Sequence, residues 1–333
     1  MKSARESKER VEQGHGGVAE SMAPWPALAP FARKMGADQR DSPRIFYFDS
    51  APGDRSRPVV LLIHGLGDEA DSFRHLFPFL SRDFRLLAPD LPGFGRSESP
   101  GKTSFRLCVE AVAGILETEG IEEAIVLGSS LGASIAQNLA LRQPSRVGAL
   151  LLEDGGSPAP NRAATTLLAM ALPFFGERRY QGFRENGEAA VASLGPYYAD
   201  WEGLPEEDRR FLARRVLDRV NSETQARAYL SLLRSTIATM ATSSASFARQ
   251  LRYWKKPLTV VWGAEDRIVP ADSGRAIAGR VTGGDFRLVE GAGHLPHQER
   301  PAATAGIIRE LADAMAAGKP REESPSKGGR ARR

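Results

Sequence analysis

The sequence predicts an α/β fold, a mostly parallel, doubly wound sheet into which a helical cap is inserted. Three observations carry the prediction. Apolar runs at Pro58–His64, Phe84–Pro89, Ala124–Leu127, Val147–Glu153 and Pro257–Trp262 alternate with helix-forming stretches, the spacing of parallel strands joined by crossover helices. Most of these runs are continuously apolar, as strands covered on both faces require. The alternation breaks once, from Ser157 to Trp254, where helical patterns follow one another without strand signals.

In chain order, residues 1–40 read as an N-terminal extension, in part disordered. Its start, MKSARESKERVEQGHGG, mixes charges of both signs and lacks the apolar centre of a secretory signal. In Ser21–Lys34 three prolines interrupt Trp25, Leu28 and Phe31, which excludes a long helix and favours a segment packed across the domain surface. The core is assigned to residues 41–156 and 255–317. It opens with strand signals at Arg44–Ser50 and Pro58–His64, the second leading into Gly65, Leu66, Gly67 and Asp68. Asp71–Leu80 reads as helical, Phe84–Pro89 as a strand that ends in Asp90-Leu91-Pro92-Gly93-Phe94-Gly95-Arg96-Ser97, and Ser104–Glu119 as a helix.

The strand Ala124–Leu127 stops at Gly128-Ser129-Ser130-Leu131-Gly132, followed at once by a helix-forming sequence. Val147–Glu153 is the next strand and ends at Asp154, Gly155 and Gly156. Residues 157–254 are assigned to the cap, with helices at Thr165–Phe175, Pro205–Val220, Glu223–Met240 and Ser246–Tyr253. The cap aromatics Phe174, Phe175, Tyr180, Phe183, Tyr197, Tyr198 and Trp201 are expected to shape an apolar pocket. Strands resume at Pro257–Trp262 and Asp285–Val289, and a helix over Pro301–Ala316 closes the core. Residues 318–333 read as a basic, disordered tail.

Composition narrows the function classes. With 41% hydrophobic and 26% charged residues in 333, the chain has the make-up of an ordinary globular protein. The formal charge of +4 equals the excess of the tail alone, where six basic residues stand against Glu322 and Glu323. The body is therefore neutral, and no nucleic-acid partner is expected. No run approaches the roughly 18 apolar residues of a membrane helix, so no transmembrane segment is expected, and the cytoplasm is the default location. Cys108, the single cysteine, falls in a helical stretch and reads as a buried structural thiol. No metal-ligand spacing is present, and Gly65-Leu66-Gly67 lacks the remainder of a phosphate cradle. No cofactor is expected, and the oligomeric state stays open.

In a parallel sheet the loops after the strands gather at one edge. That edge collects His64-Gly65, Ser130, Asp266 and His294. The pattern Gly-x-Ser-x-Gly at 128–132 is a tight strand-to-helix reversal that needs small residues two before and two after the serine. Ser130 then stands proud of the sheet, and the first free N–H groups of the helix face whatever its hydroxyl attacks.

With Ser130, Asp266 and His294 in that chain order, and with the motifs after Pro58–His64, Phe84–Pro89, Pro257–Trp262 and at Gly293-His294-Leu295-Pro296, the chain resembles the α/β-hydrolase superfamily from about Arg44 to Ala316. The resemblance implies a serine-nucleophile enzyme. Ser130 attacks a carbonyl, His294 moves the proton, Asp266 orients His294, and the backbone N–H groups of Leu66 and Leu131 form the oxyanion hole. Competitors remain for each role: Ser129 for the nucleophile; Glu265, Glu153 or Asp154 for the acid; His297 for the base. His64 reads as a brace of the oxyanion loop, His75 as a helix residue, and His15 as part of the disordered start.

A serine at this turn argues against the haloalkane dehalogenase and epoxide hydrolase branches, which carry aspartate there. The leading expectation is hydrolysis of a small or medium carboxylic ester. The alternatives are carbon–carbon hydrolysis of a vinylogous diketone acid, acyl transfer, and a ligand receptor on the same fold. Carbon–carbon hydrolysis would need a cation for the substrate carboxylate, for which Arg178, Arg179 or Arg184 stand in the cap.

Overall fold

The structure, a computed structural model, describes residues 22–35, 43–156 and 164–318. His15, most of the N-terminal extension and the tail beyond Gly318 lie outside the described residues. Eight strands form one sheet: β1 (Ala32–Met35), β2 (Ile45–Asp49), β3 (Val59–Ile63), β4 (Arg85–Pro89), β5 (Ala124–Ser129), β6 (Val147–Glu153), β7 (Leu258–Gly263) and β8 (Asp285–Val289). Their order is β1-β2-β4-β3-β5-β6-β7-β8. The β1–β2 and β2–β4 pairs are antiparallel and all others parallel.

The central strands β3, β5, β6 and β7 are buried along their whole length because both faces are covered. Val59, Leu61 and Ile63 of β3 pack on one side with α2 (Phe105–Thr118) and α3 (Leu131–Arg142). Val60 and Leu62 pack on the other with α1 (Phe77–Leu80) and, late in the chain, a helix over Pro301–Ala316. Each such buried aliphatic side chain stabilises the fold by about 1.5–3 kcal/mol. The Ser104 hydroxyl caps α2 by accepting the Leu107 N–H at 3.2 Å.

Between β6 and β7 the described chain is helical: α4 (Ala164–Ala171), α5 (Phe175–Glu185), α6 (Gly187–Ala192), α7 (Glu206–Asn221) and α8 (Glu223–Leu251). Buried ion pairs tie α7 to the loop after β3. Arg215 meets Glu69 at 2.6 Å and Asp71 at 3.4 Å, and Asp208 meets Arg74 at 2.6 Å. After β7 come α9 (Asp272–Ala278), α10 (Pro296–Glu299) and α11 (Pro301–Ala316). No helix among the described residues is long and apolar enough to cross a membrane.

The helices differ from expectation at four points. Asp71–Leu80 is not one helix but a 3-10 turn over Ala70–Phe73 followed by α1, because Pro78 favours the first turn of a new helix over the interior of an old one. His75 therefore sits in the turn between them rather than on a helix. The stretch Thr165–Phe175 ends at Ala171, two residues before Pro173, and Phe175 begins α5. The two segments Glu223–Met240 and Ser246–Tyr253 are instead the single helix α8. Its Ser/Thr-rich middle stays helical while the hydroxyls of Thr239 and Thr242 bond back to the carbonyls of Ser235 and Ala238 at 2.8 and 3.0 Å.

Candidate active site

The strand order reverses between β3 and β5, the place where open α/β sheets form their binding crevice. The loops after these two strands bring Gly65 and Ser130 together: a Cβ on Gly65 would lie 3.2 Å from that of Ser130. Ser130 joins β5 to α3 with φ +54°, a strained value for a residue with a side chain. The turn closes only because its neighbours are glycine. A Cβ on Gly128 would sit 2.2 Å from the Gly132 carbonyl oxygen, one on Gly132 would sit 2.1 Å from that of Ile63, and one on Gly155 would sit 2.0 Å from that of Ser130.

Three of the sequence-predicted residues meet at this turn. His294 Nε2 lies 2.9 Å from Ser130 Oγ, and His294 Nδ1 lies 2.9 Å from Asp266 Oδ2. The His294 and Asp266 side chains are each 1% exposed. The other oxygen, Oδ1 of Asp266, accepts the N–H groups of Ile268 and Val269 at 2.7 and 3.0 Å. Burial pushes the Asp266 carboxyl upward. The hydrogen bond and charge of His294 and the two N–H donors outweigh that, and the carboxyl stays below the usual aspartate range.

Leu131 is the first residue of α3, so its N–H has no acceptor within the helix. The Leu66 N–H is oriented from behind. His64 Nε2 accepts the Leu91 N–H at 2.9 Å, which leaves the ring proton on Nδ1, 2.8 Å from the Gly65 carbonyl oxygen. In a trans peptide C=O and N–H point opposite ways. Holding the Gly65 carbonyl on His64 therefore turns the Leu66 N–H away from that ring. Burial lowers the His64 basicity, in keeping with a neutral bracing ring.

The competitors' side chains bond elsewhere or, at Ser129, have no hydrogen-bond partner, with one exception that lies beside the triad. The Glu153 side chain pairs with His297 Nδ1, and His297 Nε2 lies 2.9 Å from Ser72 Oγ; toward Ser130, Glu153 offers only its backbone carbonyl, which accepts the Ser130 N–H at 2.8 Å. Glu265 accepts the Gly291 N–H at 3.2 Å. Ser129 is buried, and Cys108 is buried with its thiol pushed up by desolvation. The exception is Asp154. Its Oδ1 accepts the Gly263 N–H at 2.9 Å, yet its carboxylate gathers with Asp266 and His294 so that one ligand atom from each lies within 4.8 Å of the others. Three such groups could share an ion, but His294 Nδ1 and Asp266 Oδ2 already engage each other. Burial first, and then the charges of Asp266 and Glu153, push the Asp154 carboxyl well above the usual range.

The helical segment contributes more than the sequence revealed. The Tyr197 carbonyl accepts the His294 N–H at 2.8 Å, and the Tyr197 ring meets the imidazole edge-on at 5.6 Å. Glu299 accepts the N–H of Ala199 at 2.8 Å and that of Gly293 at 2.7 Å, clamping the two loops together. A Cβ on Gly67 would press on the Tyr229 ring at 2.9 Å, and Tyr229 packs against Tyr180 at 5.3 Å. The aromatic expectation therefore holds only in part. Tyr197 meets His294, and Tyr180 packs with Tyr229, whose ring lies over Gly67, whereas Tyr198 is buried on Gln298, and Phe174 and Phe175 face solvent.

The proposed cap cations also need correcting. Arg184 is bonded to the Val220 carbonyl at 2.6 Å, Arg179 lies over the Phe183 ring, and Arg178 is exposed. A cation that the helical segment brings to the loop after β3 is Arg219 of α7, 3.9 Å from Asp68. Its place on a polar, arginine-rich helix gave no signal to separate it from surface arginines.

A family model described as the alpha/beta hydrolase fold matches residues 58–301. The chain is 27% identical over 259 residues to a 2-hydroxy-6-oxononadienedioate/2-hydroxy-6-oxononatrienedioate hydrolase of Paraburkholderia phymatum, covering 75% of this chain and 84% of that one. Among solved structures it is similar to the 2-hydroxy-6-oxo-6-phenylhexa-2,4-dienoate hydrolase of Rhodococcus sp. strain RHA1, with TM-score 0.69, 24% identity and coverage of 85% and 98%. It is also similar to a thermophilic esterase from Thermogutta terrifontis, with TM-score 0.68, 23% identity and the same coverage.

Proposed function

Because the chain belongs to the alpha/beta hydrolase family, we propose that it is a serine hydrolase that cleaves a small or medium carboxylic ester through an acyl-enzyme on Ser130. The observation that carries the reading is the continuous line from Ser130 Oγ through His294 to Asp266, both steps at 2.9 Å. His294 Nε2 takes the hydroxyl proton as Oγ bonds to the substrate carbonyl carbon. Asp266 accepts the Nδ1–H and stabilises the imidazolium that forms. The carbonyl oxygen, now an anion, accepts from the N–H groups of Leu66 and Leu131, each such donor contributing on the order of 3 kcal/mol. The imidazolium then protonates the departing alcohol. A water, deprotonated by the same nitrogen, releases the acid and restores Ser130. The helical segment serves as a cap whose tyrosines wall the acyl site.

The test is turnover of a panel of p-nitrophenyl esters and thioesters. Wild-type protein is expected to release nitrophenol from short or medium acyl chains, and Ser130→Ala to lose that turnover. A panel that gives no turnover sinks the ester reading.

A second reading is favoured by Arg219. Relatives such as the Paraburkholderia phymatum protein are named for a dienedioate substrate, and a guanidinium at the loop after β3 suits a carboxylate. Under this reading the same Ser130 machinery breaks a carbon–carbon bond next to a ketone. Loss of the chromophore of ring-fission dienoates on adding enzyme separates it from ester hydrolysis.

A further inference from the structure

Large apolar side chains are exposed at few places among the described residues, and four of them fall within one short stretch: Leu168, Leu172, Phe174 and Phe175, at 47%, 59%, 86% and 51% exposure. They form the corner between α4 and α5. The corner is braced by close packing and by one arginine. A Cβ on Gly176 would lie 2.2 Å from the Met170 carbonyl oxygen, so the two helices meet there in close contact. Arg234 of α8 donates to the Ala171 carbonyl at 2.9 Å and grips both carboxylate oxygens of Glu177 at 2.8 and 3.0 Å. Phe174 is kept outward at φ +67°, a strained value for an aromatic residue. A contiguous apolar patch that the fold holds in place in this way marks a contact surface.

Its rim says what the contact is. Arg178 and Arg179, both exposed, follow Phe174 and Phe175 within the first turns of α5, Arg179 lying over the Phe183 ring. The Glu177 charge is spent on Arg234, which leaves the rim positive. A second copy of this chain would oppose these arginines with its own. The sequence after Gly318 adds six basic residues against two acidic ones. Aromatic and aliphatic tips ringed by arginines fit a bilayer interface with anionic headgroups.

We propose that the α4–α5 corner docks the protein on an anionic lipid surface, Leu172, Phe174 and Phe175 entering the headgroup layer while Arg178 and Arg179 meet phosphates. The inner side of α4 packs through Met170 into the cluster that includes Leu66, so the surface contact lies about one helix diameter, roughly 10 Å, from the loop beside Ser130. Docking does not depend on the reaction at Ser130.

Cosedimentation of the full chain with vesicles of phosphatidylglycerol and phosphatidylcholine, against vesicles of phosphatidylcholine alone, tests this. Wild-type and Ser130→Ala protein are expected to sediment with the anionic vesicles at low salt and to be released as salt rises. The double variant Phe174→Ser/Phe175→Ser is expected to bind at least tenfold more weakly while keeping its thermal midpoint. Failure of the wild type to bind, equal binding to both vesicle types, or undiminished binding of the double variant overturns the proposal. So does a dimer in sedimentation velocity that the double variant disperses, since a second copy would then cover the patch.

Discussion

Asp266 divides its two oxygens between tasks: Oδ2 faces His294 Nδ1 at 2.9 Å, and Oδ1 accepts the N–H groups of Ile268 and Val269. The loop thereby fixes the carboxylate before it fixes the ring. Asp266→Asn keeps the shape but can present its amide N–H to Nδ1, which favours the wrong tautomer for accepting the Ser130 proton. The expected loss in kcat is on the order of 10^4, with the thermal midpoint little changed. A loss below tenfold would assign the acid role elsewhere.

Asp154 supplies a pH signature. Its carboxyl is raised in the folded protein by burial and by the neighbouring charges of Asp266 and Glu153. A raised group binds its proton more tightly when folded, so its contribution is fully present below the unfolded pKa of about 4 and is lost as pH rises toward the folded value. Asp154→Asn cannot titrate. Its stability relative to wild type is expected to increase with pH above about 4, by at most about 1.4 kcal/mol per pH unit. Parallel urea midpoints for the two proteins across that range would contradict the assignment.

The turn at Ser130 is sterically full. Gly132→Ala would drive a methyl to 2.1 Å from the Ile63 carbonyl oxygen, backbone that cannot step aside. The variant is expected to lose about 1–3 kcal/mol of stability and most of its turnover, because α3 and the Leu131 N–H must shift. Chemical denaturation together with p-nitrophenyl ester turnover measures both.

These cases mark what was legible in the sequence. The elbow could be read because the need for glycine at 128 and 132 is local, arising within a few residues of the chain. Ser130, Asp266 and His294 could be brought to one edge because strand order fixes where loops gather. Glu299 could be placed in the motif that follows His294, but its role could not be read, since that role is to clamp Ala199 to Gly293, a meeting of the core with the helical segment. Arg219 was missed for the same reason: helical periodicity gives a face, and only packing shows what that face meets. The Ser/Thr run that reads as a break in α8 stays helical through hydroxyl bonds to the preceding turn.

Arg219 decides between substrate classes. If it receives a substrate carboxylate, Arg219→Ala should raise KM for esters or dienoates bearing a free acid by about tenfold or more, the loss of one charge-assisted hydrogen bond of about 1.5–3 kcal/mol, and leave KM for neutral esters unchanged. Equal effects on both would reduce Arg219 to a partner of Asp68.

The central claim is that Ser130 is the nucleophile. Labelling with a fluorophosphonate, followed by intact mass and peptide mapping, tests it most directly. The account predicts one covalent adduct on the peptide containing Ser130 in the wild type and none in Ser130→Ala. No adduct on folded wild-type protein, or an adduct that persists in Ser130→Ala, would contradict it.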